Sequence, residues 1–344
     1  MGAPAATRNG VIGVLELGTN SLKLHLSKDS LEPTDPVRVE WNLGFEVFSS
    51  RTISEQTMET ALCQVRGLLK DHGISSSDTP VVGFATGAFR DAENTVAFLE
   101  RLLQEEGIPV RILRMEEEAS LLIEGASPLV PEGPGMVFDL GGGSLEMVYF
   151  GFGGSWIRED LPLGAIRIHQ LACLASGGWD DGPALRWVDK ALQHARAFNL
   201  ATIHGTGGTV KAIAQVAGRS AVSIEEIRAF ERAVRTEGPP ASLPERRRTL
   251  FLPGLLVVRR LMERVGARTV RHIRVDLGEA LLERLRPFRG ALQGPACRSV
   301  LFQHLELFRP GVPKTNTMEA GDGMEAILPS TPPSGIHHAS ESQG

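Results

Sequence analysis

Cysteine is scarce: only Cys63, Cys173 and Cys297 occur in 344 residues, far apart in sequence. No CxxC pair exists, so neither a zinc ribbon nor a disulfide framework is expected, and the three read as reduced thiols. A basic excess is also missing. The net charge of -5 argues against a general nucleic-acid binder, so an anionic substrate would need a local cluster of positive groups. No run of 18 apolar residues occurs, so no membrane span is expected. "MGAPAATRNG" carries no apolar stretch before Val11 and does not read as a secretory leader, so a cytoplasmic protein is expected. What remains is an ordinary globular composition, 42% hydrophobic and 22% charged, long enough for two domains.

The chain writes one hairpin pattern twice. "VLELGTNSLKLHL" (Val14 to Leu26) and "FDLGGGSLEMVYF" (Phe138 to Phe150) align without a gap when Glu16 is set against Asp139. Gly18 then meets Gly141, Ser21 meets Ser144 and Leu22 meets Leu145. Each copy opens a block that reads as α/β. In the first, strands are expected over 11–17, 22–27, 81–86 and 110–113, with helices over 54–72, 91–106 and 116–125. "SPLVPEGPG" (Ser127 to Gly135) reads as the linker. In the second block, helices are expected over 183–199, 208–217, 223–235, 246–266 (interrupted or capped near Pro253-Gly254) and 278–285, with a last strand in "VRHIRV". The expected division is a flexible N-terminus (1–10), a first domain (11–127), a second domain (136–290) and a disordered tail (310–344), which is polar and rich in Pro, Gly and Ser. His337 and His338 in that tail read as solvated side chains rather than a metal pair. The duplicated pattern implies two similar halves facing a cleft.

The turns suit phosphate. Gly141, Gly142 and Gly143 allow backbone conformations that aim several N–H groups into one concavity, and Ser144 adds a hydroxyl. Asp139, at the strand end, can hold Mg²⁺ through water or orient a nucleophile. A third glycine turn, His204 to Thr209, fails the GxGxxG and GxxxxGK[ST] patterns, yet it places Gly207, Gly208 and Thr209 between a strand and a helix N-terminus, which favours an anion. Glu116, Glu117 and Glu118 stand at a helix start, where they complement the dipole or supply a base to a phosphoanhydride hydrolase.

With these motifs the chain resembles the exopolyphosphatase/guanosine pentaphosphate phosphatase (Ppx/GppA) family, a branch of the actin, sugar kinase and Hsp70 ATPase superfamily. The resemblance runs from Val11 to about Leu285 through "LGTNSLKL", "FATGAFRDAENTVAFLERL", "RMEEEASLLIEG", "FDLGGGSLEM", "LPLGAIRI", "HGTGGTVKAIAQV" and "ERRRTLFLPGLLVV", in family order. It implies two duplicated ribonuclease H-like, actin-like ATPase domains facing a central cleft. It implies hydrolysis of a terminal phosphoanhydride of inorganic polyphosphate or guanosine pentaphosphate, with Mg²⁺ as cofactor. Glu118 would orient the water. Asp139 and Glu146 would act in catalysis and organise Mg²⁺, with Glu16 as a third metal residue. Asn20, Ser21, Gly141, Gly142, Gly143, Ser144 and Thr209 would cradle phosphates, and Arg90 would neutralise their charge. Neither nucleic acid nor membrane is an expected partner, and homodimerisation is left open. Three departures stand out: Glu16 replaces the family's Asp, Gly278 stands where Arg is expected, and the helical C-terminal domains of longer members do not follow, as in short two-domain forms. The alternatives are a kinase of the same superfamily and a catalytically weakened module that binds alarmone or nucleotide.

Overall fold

The computed structural model describes residues 11–27, 36–41, 43–74, 79–152, 155–173 and 178–288. The segments read above as flexible N-terminus (1–10) and disordered tail (310–344, with His337 and His338) lie outside the described residues, as does Cys297.

The first block contains strands β1 (Gly13–Leu17), β2 (Ser21–Leu26), β3 (Val37–Glu40), β4 (Val81–Ala85) and β5 (Val110–Ile112), and helices α1 (Leu43–Ser50), α2 (Glu55–Asp71), α3 (Ala88–Asp91), α4 (Thr95–Glu106) and α5 (Met115–Ala126). The second contains β6 (Gly135–Leu140), β7 (Leu145–Phe152), β8 (Ser155–Leu161), β9 (Thr202–Thr206), β10 (Ala221–Ser223) and β11 (Thr269–His272). Its helices are α6 (Ala165–Ala172), α7 (Gly182–Leu192), α8 (Gly207–Ala217), α9 (Ile224–Glu237), α10 (Glu245–Val265) and α11 (Leu277–Leu285). The sheets run β3-β2-β1-β4-β5 and β10-β11-β9-β6-β7-β8. Each begins with an antiparallel meander, then adds a parallel strand beside the meander's first strand. The duplication read from the two hairpins is therefore a duplication of topology.

β1 and β4 are buried along their whole lengths, which explains their near-continuous apolar runs. α2 buries Met58, Ala61, Leu62, Val65, Leu68 and Leu69, the helical stripe seen in the sequence, and Ser54 caps it by accepting from Thr57 N at 3.3 Å. The helix expected over 91–106 is instead two, α3 and α4. Between them Asn94 binds the backbone of Ile53 in both directions at 2.8 Å, which holds the chain in a loop. α7 stops at Leu192 rather than 199, because Arg264 captures the carbonyls of Gln193 and Ala195 at 2.6 and 2.9 Å. The expected interruption of α10 is absent: the helix runs through Pro253 and Gly254, and burial of eleven of its residues outweighs the hydrogen bond that proline cannot donate.

Two apolar cores lie one with each sheet, and a third lies between the sheets. The third joins Ile12, Val14, Val82 and Phe84 of the first block to Val137 and Val148 of the second, with α5 and α11 packed among them. α11, the last α-helix among the described residues, thus rests on β1, β2 and α5. Among the described residues no helix is long and apolar enough to cross a membrane.

Candidate active site

The two hairpins close in the same way. Gly18 N donates to Ser21 O at 3.0 Å and Gly141 N to Ser144 O at 3.1 Å. What flanks the turns differs. In the first copy Glu16 faces Lys23 across the ladder; in the second Asp139 faces Glu146. One copy therefore pairs an acid with a base, and the other sets two acids side by side.

The glycines of the second turn serve close approach. None of Gly141, Gly142 and Gly143 has a φ in the left-handed region. A Cβ on Gly143 would lie 2.7 Å from Phe48 Cζ, and one on Gly142 would lie 3.0 Å from both Thr19 and Ile166 side-chain carbons. The turn is thus pressed against the first hairpin and α6. Gly207, in the third turn, combines both needs: its φ is +88°, and a Cβ there would overlap Asp139 Oδ1.

The three turns line one cleft. Glu16, Asn20, Ser21, Asp139, Gly141, Gly142, Gly143, Ser144, Glu146, Gly207, Gly208 and Thr209 all face it, with Glu118 reaching in from the first turn of α5. Arg90 does not line the cleft. It stands behind Glu118, where Nη1 donates to Glu118 Oε2 at 2.6 Å and to Leu113 O at 3.2 Å, and Nη2 lies 3.9 Å from Glu146 Oε1. Its charge serves the carboxylates from that position.

The electrostatics divide the two copies further. Burial, then the charge of Glu118, pushes the Asp139 carboxyl up to about 7, with Glu16 and Asp276 adding to the rise and Lys23 opposing it. The same first two causes, joined by Asp139, raise Glu146 well above the usual carboxylate range. Asp139 Oδ1 and Glu146 Oε1 are buried without a hydrogen-bond partner. Two buried hard-oxygen donors on adjacent strands, neither engaged in a hydrogen bond, fit a divalent cation such as Mg²⁺. Glu16 behaves in the opposite way. Burial alone would raise it, but Lys23 at 2.8 Å and His25 at 3.3 Å together pull it down to about 2. Its charge is already answered by protein, and its free oxygen turns to His25 and Asp276.

Sequence reasoning missed several cleft residues. Lys23, Arg38 and Arg247 line it; Lys23 is held by Glu16 and Asp276, while Arg38 and Arg247 bring the local positive charge that an acidic chain needs for an anion. Burial, then Arg38, pushes the Arg247 guanidinium down to about 10, with Glu40 opposing. The signal for Lys23 was present: a four-residue turn sets it across from Glu16.

A model described as the Ppx/GppA phosphatase family matches residues 40–284. The chain is 29% identical over 197 residues to Exopolyphosphatase 1 of Mycobacterium tuberculosis, covering 53% of this chain and 55% of that protein. It is 25% identical over 262 residues to Exopolyphosphatase 1 of Mycobacterium leprae, covering 71% and 70%. The chain spans about half the length of the first of these relatives. Among solved structures, the Aquifex aeolicus member of the Ppx/GppA family superposes with a TM-score of 0.60 at 21% identity, over 81% of this chain and 98% of that one. An exopolyphosphatase from Cytophaga hutchinsonii superposes with a TM-score of 0.67 at 18% identity, over the same shares.

Proposed function

The chain belongs to the Ppx/GppA phosphatase family, with the actin-like ATPase fold in both blocks, and from that premise we propose that it hydrolyses the terminal phosphoanhydride of a linear polyphosphate. The observation that carries this reading is the meeting of Glu118, Asp139 and Glu146 at a cleft floored by three glycine turns. Glu118 Oε2 is held by Arg90, which fixes the carboxylate so that its remaining oxygen can accept a proton. A water oriented by Glu118 attacks the terminal phosphorus. The new P–O bond forms as the bridging P–O bond breaks, Glu118 takes the water's proton, and orthophosphate leaves a chain shorter by one unit. The turn N–H groups, Ser21, Ser144 and Thr209 hold the phosphate oxygens. Arg38 and Arg247 receive the rest of the polyanion. Asp139 and Glu146 would hold Mg²⁺, which when bound neutralises phosphate charge.

Guanosine pentaphosphate presents the same terminal bond and is the second substrate to test. A module that binds without turnover is the other reading; its support is Glu16, engaged by Lys23 and His25. Phosphate release from polyphosphate and from guanosine pentaphosphate, with and without Mg²⁺, decides among these. Glu118→Gln is expected to lower release at least about 100-fold while substrate binding persists. Turnover near wild type in that variant would remove Glu118 as the base. Binding without release in the wild type would favour the module.

A further inference from the structure

Beside the cleft, β2 carries His25 two residues after Lys23, so both side chains leave the same face of the strand. One oxygen of Glu16, one nitrogen of His25 and one oxygen of Asp276 lie within 4.8 Å of one another. His25 Nε2 stands 3.3 Å from Glu16 Oε2 and 3.4 Å from Asp276 Oδ1. The histidine is 4% exposed, and neither its Nε2 nor Glu16 Oε2 has a hydrogen-bond partner.

The surroundings hold these three atoms in place. Lys23 Nζ binds the opposite oxygens, Glu16 Oε1 at 2.8 Å and Asp276 Oδ2 at 3.2 Å, which turns Oε2 and Oδ1 toward the imidazole. Asp276 is also the N-cap of α11 and accepts from Gly278 N at 3.0 Å and Glu279 N at 3.4 Å. A Cβ on Gly278 would overlap the His25 ring. Glycine at 278 is therefore what admits the imidazole.

The spacings suit one ligand class. An N–H···O hydrogen bond would draw one oxygen to roughly 2.9–3.0 Å of Nε2. Metal–ligand bonds of about 2.0–2.1 Å set the edges of a tetrahedron at roughly 3.3–3.4 Å, and both contacts fall there. An imidazole nitrogen selects borderline first-row metals, where Mg²⁺ prefers oxygen alone. We infer that Glu16, His25 and Asp276 form a site for a zinc-type first-row divalent cation, distinct from the Asp139–Glu146 pair and binding α11 to the first sheet. The rival occupant of the same space is a proton on Nε2, directed between the two carboxylates.

Metal uptake separates the two without recourse to turnover, so the test is independent of the hydrolysis proposed above. The metal-stripped full-length protein is titrated with Co²⁺ and read by visible absorption, in which tetrahedral cobalt gives strong d–d bands. One equivalent should develop the bands, a large excess of Mg²⁺ should leave them, and Zn²⁺ should abolish them. His25→Gln and Asp276→Asn should each lose them, the latter keeping an amide oxygen for the helix cap, with circular dichroism checking the fold. Asp139→Asn should retain them. Absence of bands in the wild type, their survival in His25→Gln or Asp276→Asn, or their loss in Asp139→Asn would overturn the assignment.

Discussion

Arg90 offsets two buried carboxylates at once, Glu118 at 2.6 Å and Glu146 at 3.9 Å. Breaking a buried pair by removing one partner costs about 3–5 kcal/mol, because the other charge is left uncompensated. Arg90→Met should therefore lower the melting temperature clearly, and Arg90→Lys should restore only part, since a point ammonium cannot replace the planar fork. An unchanged melting temperature in Arg90→Met would show that Glu118 finds its counter-charge elsewhere. One strand further out, β8 sets Asp160 across from Glu146. Arg158 Nε donates to Asp160 Oδ2 at 2.6 Å, while Oδ1 is buried without a partner. Burial first, aided by Glu118, outweighs Arg158 and pushes this carboxyl up to about 7 from its ordinary 3.8. A carboxyl that holds its proton more tightly folded than unfolded adds stability below about pH 4 and loses it as the pH rises toward about 7. Asp160→Asn keeps an acceptor for Arg158 and removes the ionisation. Denaturant midpoints measured across that window should fall less steeply with pH in this variant, and an identical slope would show that Asp160 does not titrate there.

At the scale of elements, the site depends on how closely α10 approaches the first turn of α8. A Cβ on Gly254 would overlap Thr209 Cγ2 and lie 2.8 Å from its Oγ1. Gly254→Ala must push the two helices apart, at about 1–3 kcal/mol for overpacking. Thr209 faces the phosphate side of the cleft, so the substrate KM should rise more than kcat falls; a lower kcat at unchanged KM would count against that placement. Much of this architecture was legible beforehand, because local pattern carries it: the repeated hairpin, the stripe of α2 and the glycine turn ahead of α8 each follow from neighbours in sequence. The three-turn cleft followed from the same signals. The break after Asp91 and the early end of α7 did not, since Ile53 and Arg264 impose them from other elements. Nor did the joining of Asp276 to Glu16 and Lys23, for Lys23 and Asp276 stand 253 residues apart. Only the fold brings those charges together, and only then does Glu16 read as one member of an ion cluster.

Two arginines tie the halves of the molecule across the cleft. Arg246 of α10 pairs with Glu40 and donates to Trp41 O at 2.6 Å, while Arg167 of α6 pairs with Asp91, donates to Gly143 O at 2.7 Å and lies 3.8 Å over the Phe48 ring. Replacing both with alanine should widen the cleft, seen as a larger radius of gyration in solution scattering and a higher KM. An unchanged radius would place the restraint in the third core instead. That core has a consequence for biosynthesis. α11 brings Leu277, Leu281, Leu282 and Leu285 into one core with Ile12 and Val14, so β1 waits for α11. At about 5–20 residues per second, the interval is roughly 15–50 s. Through that time the part of the first sheet's inner face that α11 covers stays wet on a ribosome-bound chain, an apolar surface open to a chaperone or to a neighbouring chain. A transcript cut short before the codon for Leu277 would yield a product with that face bare for good.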